Sequence, residues 1–231
     1  GMQEQEDVKA CKEIESLSDL ISLINSKHEG NDPDVIRLRK IRKQLKELDT
    51  MVGLEELKKK IMYQVLFFIQ NLGDDEMMHT ALMGPPGVGK TTVAMIVAKI
   101  YKKLGFLSKG RFVVVKREDL IGQYLGETAI KTRSVLEHSI GSVLFIDEAY
   151  SLGCDDHRDS YAKECVDTLV AFLSEHTKDF VCIIAGYEQE LQRHFFDSNP
   201  GLDRRFPWKY ILNSYKPEEN RRIFQKLLKQ N

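Results

Sequence analysis

Gly84-Pro85-Pro86-Gly87-Val88-Gly89-Lys90-Thr91 decides how the rest of this 231-residue chain is read. The stretch satisfies every fixed position of the pattern G-x-x-x-x-G-K-[ST]. A polyphosphate needs many hydrogen-bond donors in a small volume, and only successive backbone N–H groups are dense enough. Glycine at 84, 87 and 89 lets the main chain take positive φ and approach phosphates without a Cβ in the way. The cradle runs over Pro86, Gly87, Val88, Gly89, Lys90, Thr91 and Thr92 and opens a helix whose N-terminal amides favour anions. Lys90 is placed to reach β- and γ-phosphates, and the Thr91 hydroxyl to ligate Mg²⁺. An apolar run (Ala81-Leu82-Met83) precedes the loop, and a helical pattern (Val93, Ile96, Val97, Ile100, Tyr101, Leu104) follows it. This context predicts strand, loop and helix rather than a Gly/Pro-rich turn.

Val143-Leu144-Phe145-Ile146-Asp147-Glu148 is an apolar run that ends in two acids. Such a run reads as a strand of a parallel sheet, buried on both faces. Ligands bind at the carboxyl ends of these strands. Asp147 is therefore a candidate for the Mg²⁺ shell, and Glu148 for polarising an attacking water. Two acids at a strand end with no phosphate loop would read equally as solvated groups or as a site. With the loop upstream they imply hydrolysis of a nucleoside triphosphate.

From Val52 to about Phe206 the chain resembles the AAA+ ATPases, and within them the CbxX/CfqX group. The resemblance is carried by the loop from Leu82 to Ala94, Leu104–Gly110, Tyr124–Thr132, Val143–Leu152, Ala185-Gly186-Tyr187 and Asn199-Pro200-Gly201-Leu202. It implies a three-layer α/β sandwich around a parallel five-stranded sheet of order 5-1-4-3-2. It also implies ATP/ADP and Mg²⁺ as cofactors, and a ring, a hexamer, that remodels a protein partner. Met51, Val52 and Gly53 match the turn that flanks adenine in such ATPases. Tyr124, Leu125 and Gly126 match a loop that grips polypeptide in the central pore, the alternative being a Tyr124 packed on its own domain. Arg205, with Arg204 as second candidate, matches the arginine finger given to a neighbouring subunit; the alternative is a surface pair bonded to acids of the same chain. At the sensor position, where these ATPases usually carry Asn or Thr, the chain has Tyr187, which reads equally as a γ-phosphate contact or a packed aromatic.

Net charge is −1, so nothing resembles the basic footprint of a nucleic-acid binder. Short basic clusters, Lys58-Lys59-Lys60 and Arg221-Arg222, read as solvated helix faces. The four cysteines (Cys11, Cys154, Cys165, Cys182) lack metal-ligand spacing, and no run of 18 apolar residues suggests a membrane span. These features point to a reducing cytoplasm.

Three segments are expected. Residues 1–48 form an N-terminal helical segment, with a stripe through Val8, Cys11, Ile14, Leu17, Ile21 and Ile24. Asp32-Pro33 starts a second helix that runs through Ile36, Ile41, Leu45 and Leu48. These helices either pack within the chain or form a docking arm. Residues 49–213 form the nucleotide-binding α/β domain, with strands near 79–83, 112–115, 143–146, 181–185 and 209–212. Residues 214–231 supply at most the first helix of the lid that such ATPases carry. The polar stretch Cys154–Asp159 reads as a surface loop or a second mobile one. A rival to the motor is a nucleotide-regulated binding module with little turnover.

Overall fold

The computed structural model describes residues 14–26, 31–70, 76–124, 126–153, 159–213 and 217–229. Val8, Cys11, Leu125 and Cys154 lie outside them. The chain falls into two compact units, residues 1–71 with 215–231, and residues 72–214.

In the first unit, helices α1 (Leu17–Ser26), α2 (Pro33–Lys40), α3 (Arg42–Asp49) and α4 (Glu55–Ile69) bury one stripe each. Asp32 caps α2 as its sequence suggests, its carboxylate accepting the Asp34 N–H at 2.9 Å with Pro33 next in line. The single helix expected after Asp32 is interrupted at Ile41, whose N–H turns to the Leu38 carbonyl at 3.2 Å. Ile41 is fully buried there, so packing selects the break. Lys58 also departs from expectation. It is buried rather than solvated, and its ammonium donates to the Asp49 carbonyl at 2.9 Å and to Glu55 at 3.3 Å. That contact fixes the entry to the turn Thr50–Leu54, which ends with Leu54 in the left-handed region at φ 60°.

The second unit is built on a parallel sheet. Its strands are β1 (Thr80–Met83), β2 (Phe112–Val115), β3 (Val143–Ile146), β4 (Val181–Gly186) and β5 (Trp208–Ile211). They lie in the order β2-β3-β4-β1-β5, the expected order read from the other edge. β1, β3 and β4 are buried on both faces, as their unbroken apolar runs require. Crossovers are α5 (Lys90–Lys103), α6 (Arg117–Leu120), α7 (Glu127–His138), α8 (Ser160–Glu175), α9 (Glu188–His194) and α10 (Pro200–Arg205). One core joins Leu144, Ile146, Cys182 and Ile184 of the sheet to Leu136, Phe172, Leu191 and Leu202 of the helices. The alternate residues Leu82, Phe145 and Ile183 point the other way and are equally buried. Cys182 is inert core as expected, its thiol pushed far up by burial, and burial also pushes the Cys165 thiol up to about 11. A last helix, α11 (Pro217–Leu228), returns to the first unit, where the Lys226 ammonium donates to the Thr50 carbonyl at 3.1 Å. No helix among the described residues is long and apolar enough to cross a membrane.

His79, just before β1, carried no signal in the sequence and proves to be fully buried. Its Nδ1 accepts the Cys182 N–H at 2.9 Å, so the ring is neutral with its proton on Nε2. The rings of Phe180 and Phe206 stand 5.7 and 5.9 Å from it. Burial lowers its pKa from 6.5 to about 3. The unfolded chain therefore takes a proton at this residue that the folded chain refuses until about pH 3. Its contribution to stability is complete above pH 6.5 and falls as pH drops, by up to about 1.4 kcal/mol per pH unit. His79→Gln keeps an acceptor but cannot be protonated. Urea unfolding at pH 7 and pH 4.5 should show the parent losing about 2 to 3 kcal/mol more than the variant. Equal losses would contradict the buried, neutral ring.

Candidate active site

β1 and β4 are neighbours, yet the chain leaves β1 toward β2 and leaves β4 toward β5. Crossovers that diverge from adjacent strands open a crevice at their carboxyl ends. The loop that follows β1 starts in that crevice and is tightly anchored. Gly84 N–H donates to the Gly186 carbonyl at 2.9 Å, and Leu212 N–H donates to the Met83 carbonyl at 2.7 Å. A Cβ at Gly84 would stand 2.2 Å from the Leu212 carbonyl oxygen, so only glycine fits. Further on, Gly87 (φ 78°) has no atom within 4 Å of where a Cβ would be, and Gly89 (φ 98°) caps α5 in the left-handed region. The loop is thus fixed at its root and open at its apex.

A cavity of about 360 Å³ lies over this apex. Pro86, Gly87, Gly89, Lys90, Thr91, Thr92, Asp147 and Glu148 line it, together with Tyr150, Gly186 and Tyr187. Val88 turns its side chain into the core instead. The Lys90 ammonium donates to the Gly84 carbonyl at 2.5 Å and lies 5.7 Å from the centre of the Tyr187 ring. Partial burial lowers its pKa, and the charges of Asp147 and Glu148 oppose that shift. Asp147 accepts the Glu148 N–H at 2.9 Å. Glu148 itself takes φ 52° and leads into a 3₁₀ turn, Ala149–Leu152. That sharp turn brings Tyr150 back to the cavity wall, where burial first and then the Glu148 and Glu190 charges raise its pKa. Tyr150 had no periodic signal of its own in the sequence. A larger cavity of about 540 Å³ adjoins, lined by Tyr150, Tyr187, Ile211 and Leu212. It lacks the loop apex, Asp147 and Glu148 and carries Glu188 and Glu190 instead, so the smaller cavity is the candidate for phosphate chemistry.

The remaining candidates lie elsewhere. Neither Arg204 nor Arg205 lines the cavity. Arg205 donates to the Ser174 hydroxyl at 2.8 and 3.1 Å and to the Gly201 carbonyl at 3.2 Å, all neutral acceptors. Arg204 is exposed and makes no ion pair among the described residues. Tyr124 is 68 % exposed rather than packed on its own unit. Gly126 caps α7 at φ 86°, and Leu125 lies outside the described residues. Met51, Val52 and Gly53 are half-buried in the other unit; a Cβ at Gly53 would overlap the Glu219 carboxylate of α11.

The donor set suits a nucleoside triphosphate and a divalent cation: an open apex of amides, one ammonium, a hydroxyl at Thr91 and a carboxylate at Asp147. No group of three or more His, Cys, Asp or Glu side chains among the described residues forms a metal cage. A cation here would take only Thr91 and Asp147 from the protein, the sparse set typical of Mg²⁺ bound with phosphates.

Comparison with known proteins agrees with this geometry. The model of the ATPase family associated with various cellular activities (AAA) matches residues 80–199. A CfxQ-like protein of Acanthamoeba polyphaga mimivirus is 40 % identical over 92 % of this chain and 53 % of its own length. Stage V sporulation protein K of Bacillus subtilis is 41 % identical over 70 % of this chain and 52 % of its own. The chloroplastic ribulose bisphosphate carboxylase/oxygenase activase of Cyanidioschyzon merolae is 37 % identical over 81 % and 61 %. The chain thus spans between about half and two thirds of the length of these relatives. Among solved structures, the FIGL-1 AAA domain in complex with ADP superposes with a TM-score of 0.55 at 22 % identity, covering 79 % of this chain and 60 % of that one, a likeness of fold. A phosphate-loop cavity on a 2-3-4-1-5 sheet and a family match across just over half of the residues lead to one conclusion: the chain belongs to the AAA ATPase family.

Proposed function

We propose that the chain binds and hydrolyses ATP with Mg²⁺, and works as a ring, a hexamer, that remodels a protein partner. The observation that carries this reading is the single cavity shared by the loop apex, Lys90, Asp147 and Glu148. The loop amides from Gly87 to Thr92 cradle the phosphates, and Lys90 moves from the Gly84 carbonyl to the β- and γ-phosphates. Thr91 and Asp147 hold Mg²⁺, which when bound neutralises charge that develops on the phosphates. Glu148, exposed at the mouth of the cavity, orients a water for in-line attack and takes its proton. Met51, Val52 and Gly53 serve the adenine. Tyr124, Leu125 and Gly126 grip polypeptide, a role that the exposure of Tyr124 favours. The compartment we assign is the cytoplasm.

The placement of the arginines supports the ring. Neither lines its own cavity, and Arg205 is parked on neutral acceptors with its charge uncompensated by any described acid. Arg205 is the position we assign to the finger; Arg204 is the second.

Glu148→Gln should leave ATP affinity within about twofold and lower steady-state turnover by 10²- to 10⁴-fold, about the worth of a general base. Unchanged turnover would discard the mechanism. Arg205→Ala should bind ATP normally and lose about 10³-fold in turnover. Mixing it with Glu148→Gln subunits should restore activity, because the second subunit lends its finger to the first one's intact acid. No recovery on mixing would remove Arg205 from the role, and an Arg204→Ala variant that is inactive alone but recovers on mixing would move the finger to Arg204.

A further inference from the structure

Arg117 opens α6, directly after β2, and lies far along the chain from both the loop and the acid pair. Its Nη1 donates to the Ser151 carbonyl, and its Nη2 donates to Asp159 Oδ2 at 2.8 Å. Ser151 belongs to the 3₁₀ turn that begins as soon as Glu148 has taken its left-handed φ, and the Ser151 N–H donates to the Glu148 carbonyl at 2.9 Å. Asp159 holds the other side. Its Oδ1 accepts the Ala162 N–H at 3.0 Å and so caps α8. That backbone bond first, and then Arg117, hold its carboxyl below the usual range. The far end of the turn has no slack, since a Cβ at Gly153 would overlap the His194 carbonyl.

α6 also roots the Tyr124 loop. The Lys131 ammonium donates to the carbonyls of Glu118 and Ile121 at 2.5 and 3.2 Å, and the Thr132 hydroxyl to that of Leu120 at 2.8 Å. The loop then closes with the Tyr124 N–H on Glu127 Oε2 and the Glu127 N–H on the Tyr124 carbonyl, both at 3.2 Å. One guanidinium therefore touches the turn that leads from Glu148 and sits on the short helix that precedes the Tyr124 loop. A planar fork suits two acceptors at fixed angles, which an ammonium on a flexible stem does not.

We propose that Arg117 is a positioning residue that joins the Glu148 turn to the root of the Tyr124 loop, so that acid and loop change position together. The proposal rests on the reading of Glu148 as the water-polarising acid. Arg117 touches neither nucleotide nor polypeptide; it acts through the two segments it ties.

The test uses the full chain with Tyr124→Trp as a fluorescent reporter, the unmodified protein giving the contribution of Trp208, the single native tryptophan. ATP with Mg²⁺ should shift the emission of the reporter. Arg117→Ala should keep ADP affinity within about twofold, lose that shift, and lower turnover about tenfold or more, since small misplacement of a reacting group is costly. Arg117→Lys should fall between the two, and carries the test if the alanine variant does not fold. A full shift and parental turnover in either variant, with only the melting temperature lowered, would make Arg117 a staple and overturn the coupling alone. A parent that turns over ATP as fast with Glu148→Gln would overturn the reading beneath it as well.

Discussion

The crevice between β1 and β4 is the constraint from which the rest follows. Two adjacent parallel strands send their crossovers in opposite directions, which opens a crevice at their carboxyl ends. Tight contacts to β4 and to the segment after β5 then pin the root of the phosphate loop at Gly84. A pinned root and an open apex aim the amides before any ligand arrives. Their ordering is offset by folding and not by binding, which is what preorganisation means for a site that must hold several negative charges.

The same end of the sheet carries the strain. Glu148 in the left-handed region costs roughly 1 to 2 kcal/mol relative to ordinary backbone. The surroundings enforce it: Ile146 before it and Ala149 and Leu152 after it are buried, so the chain has to reverse within two residues. Relaxing the backbone would pull those apolar groups toward water. The reversal puts Asp147 and Glu148 at the mouth of the cavity and returns Tyr150 to its wall.

Much of this was legible because short-range chemistry wrote it. The glycines and Lys90-Thr91 have one physical use at that spacing, and unbroken apolar runs ending in acids announce buried parallel strands. Strand bounds came within a residue or two for the same reason. The order of the strands came from resemblance, since periodicity says nothing of which strands pair. What stayed hidden depends on tertiary contact. Lys58 sits in a charged run, yet packing buries it against the Asp49 carbonyl. Ile41 lies in a regular amphipathic pattern, yet burial breaks the helix there. His79 gave no sign of accepting a hydrogen bond from a residue 103 positions away. Arg117 gave no signal, because its partners are a carbonyl and an acid more than thirty residues further on.

Charge supports the proposal that more than one chain takes part in the chemistry. Among the residues that line the cavity, Lys90 is the one cation and Asp147 and Glu148 are two anions, so the wall is net negative. A bound triphosphate adds several negative charges more. Loop amides and the N-terminus of α5 contribute partial charges, worth roughly half an elementary charge at a helix end. They hold the phosphates in place but cannot balance that excess, least of all in the transition state. On the proposed reading that deficit would be met by a divalent cation held by Thr91 and Asp147 and by a guanidinium from a neighbouring subunit. An arginine tethered to neutral groups on the surface, away from its own cavity, is the kind of residue such a deficit calls for. On the proposed reading the acids that polarise the water are the same groups that would make the site call for a neighbour.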